Sequence, residues 1–317
     1  MAVVAPAASQ QAKVRRYLTG SAADVAPPLR GPAHDLGGGG TDVDAALQWM
    51  IDEVRGCTSC STKLDVVVLR ASGSNGYNAS ISAMNGVDSV ETLVITRRAD
   101  ADTPAVATTV RSAEVVFFAG GDQCDYVTLF RGTRVETAVE SVYARGGGVG
   151  GTSAGLAVLS PFAYDACGGS ATSTAALANP FDGSISFTYD MFDFAHLAGT
   201  IADTHFVTRD RMGRLMSFLA RQIQLGRTAT ALGIAVNERT SLVVDRQGLA
   251  TVMGDGPVYF VLADHAPQTC RARTPLTFSS FKIWRVAPGG TFNLAHRPTT
   301  GFYLRSVTNG VLSANPY

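Results

Sequence analysis

The feature that most restricts this chain is an alternation of short apolar runs, several ending at glycine, with stretches of helical spacing. Residues 64–69 (LDVVVL), 92–96 and 115–119 (VVFFA) are too short for helices and rich in branched or aromatic residues. They read as strands, buried where the run is continuously apolar. Around them, residues 43–54 (VDAALQWMIDEV), 79–84 and 126–144 carry apolar residues at helical spacing. Strands alternating with helices build βαβ units, which close into a parallel sheet covered by helices. The predicted fold class is therefore α/β: a doubly wound, mostly parallel sheet flanked by helices.

After Pro161 the pattern loosens. Residues 161–192 are rich in Gly, Ser, Thr and aromatics and read as a long loop or a small hairpin. A helix is expected over 209–225 and strands over 232–236, 241–244, 250–252 and 258–261, with further β elements near the end. The chain divides into an irregular N-terminal arm (1–33), an α/β domain (34–287) and a C-terminal extension of that domain (288–317). Its 317 residues suit one large domain as well as two.

Charge narrows the partners. The 26 basic and 26 acidic residues cancel, which argues against a nucleic-acid binder. The longest apolar runs, such as 258–263, fall far short of the ~20 residues needed to cross a bilayer, so no membrane partner is expected. Only Lys13, Lys63 and Lys282 are lysines, and arginine supplies the remaining positive charge. Of the five cysteines, Cys57 and Cys60 form a CxxC with no second pair or nearby histidines for zinc. That motif reads as a redox pair or a short-loop disulfide. The opening MAVVAPAASQQAKV lacks the charged and apolar regions of a signal peptide. A cytoplasmic protein or a mature exported one both fit, with the cysteines and the scarce lysine favouring export.

Four segments carry candidate chemistry. Residues 150–155 read GGTSAG, where a strand-like glycine-rich approach meets a turn and then a helix. A nucleophile elbow needs small residues around its serine, here Ser153, so that the backbones can approach. The amide of Ala154 then faces a developing oxyanion. The same pattern also occurs as an ordinary turn before a helix. Asp203-Thr204-His205-Phe206 precedes Arg209, Arg211 and Arg214; a histidine ahead of a helix would be kept neutral by the helix dipole. Arginines in a first helical turn oppose that dipole and call for an acidic partner or an anionic ligand. Residues 115–123 (VVFFAGGDQ) end a strand in Gly-Gly, the place where open α/β sheets bind ligands. There Gly121 offers an amide and Gln123 a side-chain hydrogen bond. In 234–242 (IAVNERTSL), Glu238 lies at a strand end, as a histidine-orienting carboxylate or as a turn residue paired with Arg239.

Together, GGTSAG, FAGGDQ, D-x-HF-x-x-R-x-R-x-GRL and N-E-x-T-S-L-V-V resemble the cyanophycinases and their relatives the aspartyl dipeptidases. The opening HDLGGGGTDVDAALQWMI looks like that family's first strand and loop, so the similarity spans about residues 34–245. It implies a serine peptidase, a hydrolase, on a class I glutamine-amidotransferase-like (flavodoxin-like) fold with β-rich C-terminal additions. The substrate implied is cyanophycin, polyaspartate carrying arginine on its β-carboxyls, released as β-aspartyl-arginine. Carried over position by position, Ser153 is the nucleophile, His205 the base, and Gly121 and Ala154 the oxyanion amides. Gln123, Asp203, Arg209, Arg211 and Arg214 match substrate-binding positions, with Asp203 suited to a guanidinium and the arginines to carboxylates. Glu238 matches the acid proposed for the dipeptidases. The resemblance implies no metal and no cofactor, and a homodimer.

Two departures stand out. Thr204 replaces the glutamine usual before the histidine, and 168–177 (GGSATSTAAL) has no acid where cyanophycinases tend to carry a glutamate. They leave two alternatives: an exopeptidase for other N-terminal aspartyl or isoaspartyl peptides, and an inactive homologue that binds acidic peptides.

Overall fold

The computed structural model describes residues 14–317; the part of the expected arm in 1–13 lies outside the described residues. The first half runs β1 (Arg15–Gly20), β2 (His34–Gly37), α1 (Asp44–Arg55), β3 (Leu64–Arg70), α2 (Asn78–Ser82), β4 (Val87–Val94), α3 (Arg98–Ala101), α4 (Pro104–Ser112), β5 (Val115–Phe118), α5 (Gln123–Phe130) and α6 (Arg134–Ala144). It continues with β6 (Gly148–Thr152), α7 (Ala154–Ala157), β7 (Phe162–Tyr164), α8 (Ser173–Ala178), β8 (Phe187–Tyr189), β9 (Thr200–Asp203) and α9 (Met212–Gln224). Strands β10 (Ala231–Val236), β11 (Thr240–Val244), β12 (Leu249–Gly254), β13 (Val258–Ala263), β14 (Phe278–Val286), β15 (Thr291–Asn293), β16 (Tyr303–Thr308) and β17 (Val311–Leu312) complete it.

Among the described residues the main sheet has the order β1-β4-β3-β5-β6-β2-β11-β12-β15. Its centre, β4 to β2, pairs in parallel. The two-residue period of the strands sorts the core. Val66, Val68, Val115 and Phe117 meet Met50, Ile51 and Val54 of α1 and Ile81 of α2. Val67, Leu69, Val116 and Phe118 turn the other way, onto α4, α5 and α6. Each such large side chain contributes ~1.5–3 kcal/mol on burial. The protein is thus a mixed α/β structure with a parallel-rich sheet clad in helices.

A second sheet, β17-β16-β14-β13-β10-β9, is antiparallel except for β9–β10. Leu232, Ile234 and Val236 of β10 share the first core, while Ala231 and Ala235 pack with Leu215, Phe218 and Leu219 of α9. Residues 288–317 supply strands to both sheets.

Several expectations are corrected, and others are narrowed to one of their alternatives. Residues 15–20 are not irregular: β1 pairs antiparallel with β4 along its whole length. The helix expected over 126–144 breaks between α5 and α6, where Gly132 takes φ 68°. The glycine-rich turn at 146–151 is largely strand β6, glycine-rich because a Cβ on Gly150 would stand 2.8 Å from the Asp35 carbonyl oxygen. Residues 161–192 form the β7–β8 hairpin with α8 between its strands. Helix α9 starts at Met212 rather than 209, after Asp210 turns at φ 45°. Arg209 therefore precedes the helix, Arg211 borders it, and only Arg214 lies inside. Cys57 and Cys60 form a disulfide, and a second one, unforeseen, joins Cys124 to Cys167.

Candidate active site

The chain enters Ser153 from β6 and leaves it directly into α7. Ser153 holds φ 54° and ψ −117°, a conformation that costs a side-chain-bearing residue about 1–3 kcal/mol. The flanking glycines permit the turn. A Cβ on Gly151 would meet the Gly155 carbonyl carbon at 2.7 Å, and one on Gly155 would meet the Phe118 oxygen at 2.1 Å. The serine is thereby lifted to the carboxyl end of the sheet, with its Oγ 2.7 Å from His205 Nε2.

His205 lies in the turn after β9, with φ 47°. Its Nδ1 is 2.7 Å from Glu238 Oε1. An ionised carboxylate only accepts hydrogen bonds, so Nδ1 carries the proton and Nε2 is left to accept from the Ser153 hydroxyl. Burial lowers the His205 pKa below the usual imidazole value, Arg209 and Arg211 add to the effect, and Glu238 opposes it. The expected helix-dipole cause does not hold, since α9 begins well beyond this turn. Glu238, half-buried between β10 and β11, is held below the ordinary carboxylate range by its bond to His205.

These three segments converge on one loop. The carbonyl of Gly37 accepts the Ser153 N–H at 3.0 Å, Gly38 accepts that of His205 at 2.8 Å, and Gly39 accepts that of Arg239 at 2.9 Å. The glycine run is visible in the sequence; that its successive carbonyls gather three distant segments is not.

Gly121 is exposed after β5, and a Cβ there would find nothing within 4 Å. Ala154 opens α7 and is buried, and Gln123 opens α5 half-buried. The Cys124–Cys167 disulfide ties the start of α5 to the loop after β7. Three expected substrate contacts are engaged within the protein. Asp203, 3% exposed, accepts Arg214 Nε at 2.8 Å and Nη2 at 2.5 Å, so the two charges are paired within the protein. Arg211 is buried as well: it donates to the Thr204 carbonyl at 2.8 Å, 3.5 Å from Asp203, and burial brings its pKa down to about 10. Arg209, by contrast, is exposed.

Two supporting residues escaped the sequence reading. Asn237 accepts the Val207 N–H at 2.9 Å and donates to the Pro257 carbonyl at 2.7 Å, bracing the histidine turn from the Glu238 side. Its position beside Glu238 was a usable signal. Tyr317 donates to Asp210 at 2.9 Å, accepts the Met212 N–H at 3.1 Å, and sets its ring against Phe206 and Tyr259. Nothing in the sequence links it to the site. Among the described residues no group of His, Cys, Asp and Glu is arranged to hold a metal ion, and no helix is long and apolar enough to cross a membrane.

A cyanophycinase from Trichormus variabilis is 29% identical over 218 residues, 67% of each chain. One from Synechococcus elongatus is 25% identical over 214 residues, 66% of this chain and 62% of its own length. The chain is thus cyanophycinase-like, similar to these enzymes over two thirds of its length. It is a peptidase, hence a hydrolase. The crystal structure of a peptidase from an acI-B1 actinobacterium matches 84% of this cyanophycinase-like chain and 98% of its own, with TM-score 0.56 and 16% identity, a likeness of fold alone. No protein-family model matches the chain.

Proposed function

We propose that this cyanophycinase-like protein is a serine peptidase acting on aspartyl peptide bonds, with cyanophycin as its substrate, on a class I glutamine-amidotransferase-like scaffold. The observation that carries the reading is the relay from Ser153 through His205 to Glu238, with both links at 2.7 Å. In this reading His205 Nε2 takes the Ser153 proton as Oγ attacks the aspartyl carbonyl carbon. The amides of Gly121 and Ala154 hold the oxyanion, each such donor typically contributing ~2.7–4 kcal/mol to the transition state. His205 then returns the proton to the departing amine nitrogen, leaving an ester on Ser153. Water attacks that ester with His205 as base again, and the acid product leaves. Glu238 keeps the ring oriented and stabilises the imidazolium. Exposed Arg209 is the cation we assign to a substrate carboxylate, and Gln123 the hydrogen-bonding side chain near it.

The test is incubation with purified cyanophycin granules, followed by turbidity and mass analysis of soluble products. Clearing with release of β-aspartyl-arginine, lost in Ser153→Ala, is expected. No clearing by protein that a fluorophosphonate still labels at Ser153 would replace cyanophycin with another aspartyl peptide. Full activity in Ser153→Ala would overturn the mechanism.

A further inference from the structure

The pairing of Asp203 with Arg214 leaves one question of chemistry open. A substrate that carries arginine on every aspartate brings a guanidinium for each bond cut, and the carboxylate expected to receive it is already engaged. A cavity of about 360 Å³ lies beside the nucleophile turn, on the α1–α2 side of the sheet. Its wall includes Thr152, the residue before Ser153, and Gly37, whose carbonyl accepts the Ser153 N–H, while Asp35, Asp42 and Asp44 supply its charge. Among the described residues no lysine, arginine or histidine lines it.

We propose that this cavity receives the guanidinium of the substrate's arginine side chain, an inference that rests on the function proposed above. Four observations carry it. Asp35 is only 3% exposed, yet its Oδ1 has no hydrogen-bond partner among the described residues, and the same holds for Thr152 Oγ1. Buried polar atoms without partners are costly and rare, and a donor-rich cation satisfies both. Burial also pushes the Asp35 carboxyl up to about 7, and a cation alongside would favour its ionised form. Asp42 is fixed by the Tyr77 hydroxyl at 2.6 Å, which orients its carboxylate for a fork-like donor. Tyr77 and Phe117, with ring centres 5.5 Å apart, offer the flat faces on which a guanidinium stacks. The Arg70 guanidinium sits 5.7 Å from the Tyr77 ring but donates to the Ser72 and Ser74 carbonyls and is absent from the cavity wall.

The test compares short synthetic β-aspartyl-arginine oligomers with counterparts bearing citrulline, which keeps the shape and removes the charge. The wild type should prefer the arginine oligomer, and Asp42→Asn should cut the ratio of the two kcat/KM values about tenfold or more, chiefly through KM. Asp44→Asn, at an exposed helix start, should move the ratio in the same direction. A merely structural effect lowers both rates together, so an unchanged ratio in both variants would overturn the cavity's role while leaving the proposed function intact. A wild type that cuts neither oligomer would overturn the function itself and, with it, this subsite.

Discussion

Gly39 lies against the His205 ring so closely that a Cβ on it would stand 2.4 Å from Cε1 and 2.6 Å from Nε2. Its φ of 94° is also a value that side-chain-bearing residues rarely adopt. Gly39→Ala should therefore push the imidazole off its line to Ser153. A displacement of that size costs roughly 100-fold in rate. We expect such a loss in kcat/KM with both cores retained, measured by kinetics beside a thermal melt. Near-wild-type kinetics would show that the ring is not held from this side.

The strain at Ser153 separates activity from stability. Glycine adopts φ 54°, ψ −117° without the penalty a Cβ incurs. Ser153→Gly should thus be inactive yet melt about 2 °C higher than the wild type. Ser153→Ala keeps the Cβ and should melt close to the wild type. If the glycine variant melts lower than the alanine variant, the turn is relaxed and the strain argument fails.

The pH profile follows from the charges around His205. Burial holds its pKa below the ordinary imidazole value, so kcat/KM should rise with pH through an acid limb centred below that of a free imidazole. Glu238 raises the His205 pKa and Arg209 lowers it. Glu238→Gln should shift the limb to lower pH while reducing kcat by about 10²–10⁴-fold, because the imidazolium loses its partner. Arg209→Gln should shift it to higher pH. Shifts in the same direction for both variants would contradict this electrostatic account.

Cys124 and Cys167 stand 43 residues apart, whereas Cys57 and Cys60 are separated by three. Loop-closure entropy makes the first pair the stronger constraint, worth about 3–4 kcal/mol. Replacing both Cys124 and Cys167 by serine should lower the melting temperature well beyond the same change at Cys57 and Cys60. It should also weaken substrate binding, because the pair fixes the start of α5, where Gln123 sits. Equal melting temperatures for the two double variants would refute the ranking.

What could be read from the sequence was what local chemistry dictates. The strand-to-helix turn at Ser153 is legible because such a turn needs small neighbours, and the central strands because buried β runs are short and branched. What could not be read depends on partners distant in the chain. The resemblance implies a substrate role for Arg214 and Asp203, but a residue string does not reveal that these two opposite charges face each other in the interior. The helical spacing suggests a start for α9 at 209, three residues before the true one, because the turn at Asp210 involves contacts with Tyr317, far along the chain. The arm at 15–20 lacked a strand signature because an exposed edge strand, paired on one side only, needs little apolar sequence.

Three neighbouring carbonyls, at Gly37, Gly38 and Gly39, hold the segments of Ser153, His205 and Glu238 in register. Loops ordinarily absorb insertions and deletions with little effect. Here the loop behaves like a reading frame. Removing or adding one residue shifts every downstream carbonyl by one place, so the segments dock out of phase while the cores beneath them still form. Gene copies altered at this point alone would persist as folded, soluble-sized products without turnover. A change of length here would therefore disturb the alignment of Ser153, His205 and Glu238 while touching none of the three side chains.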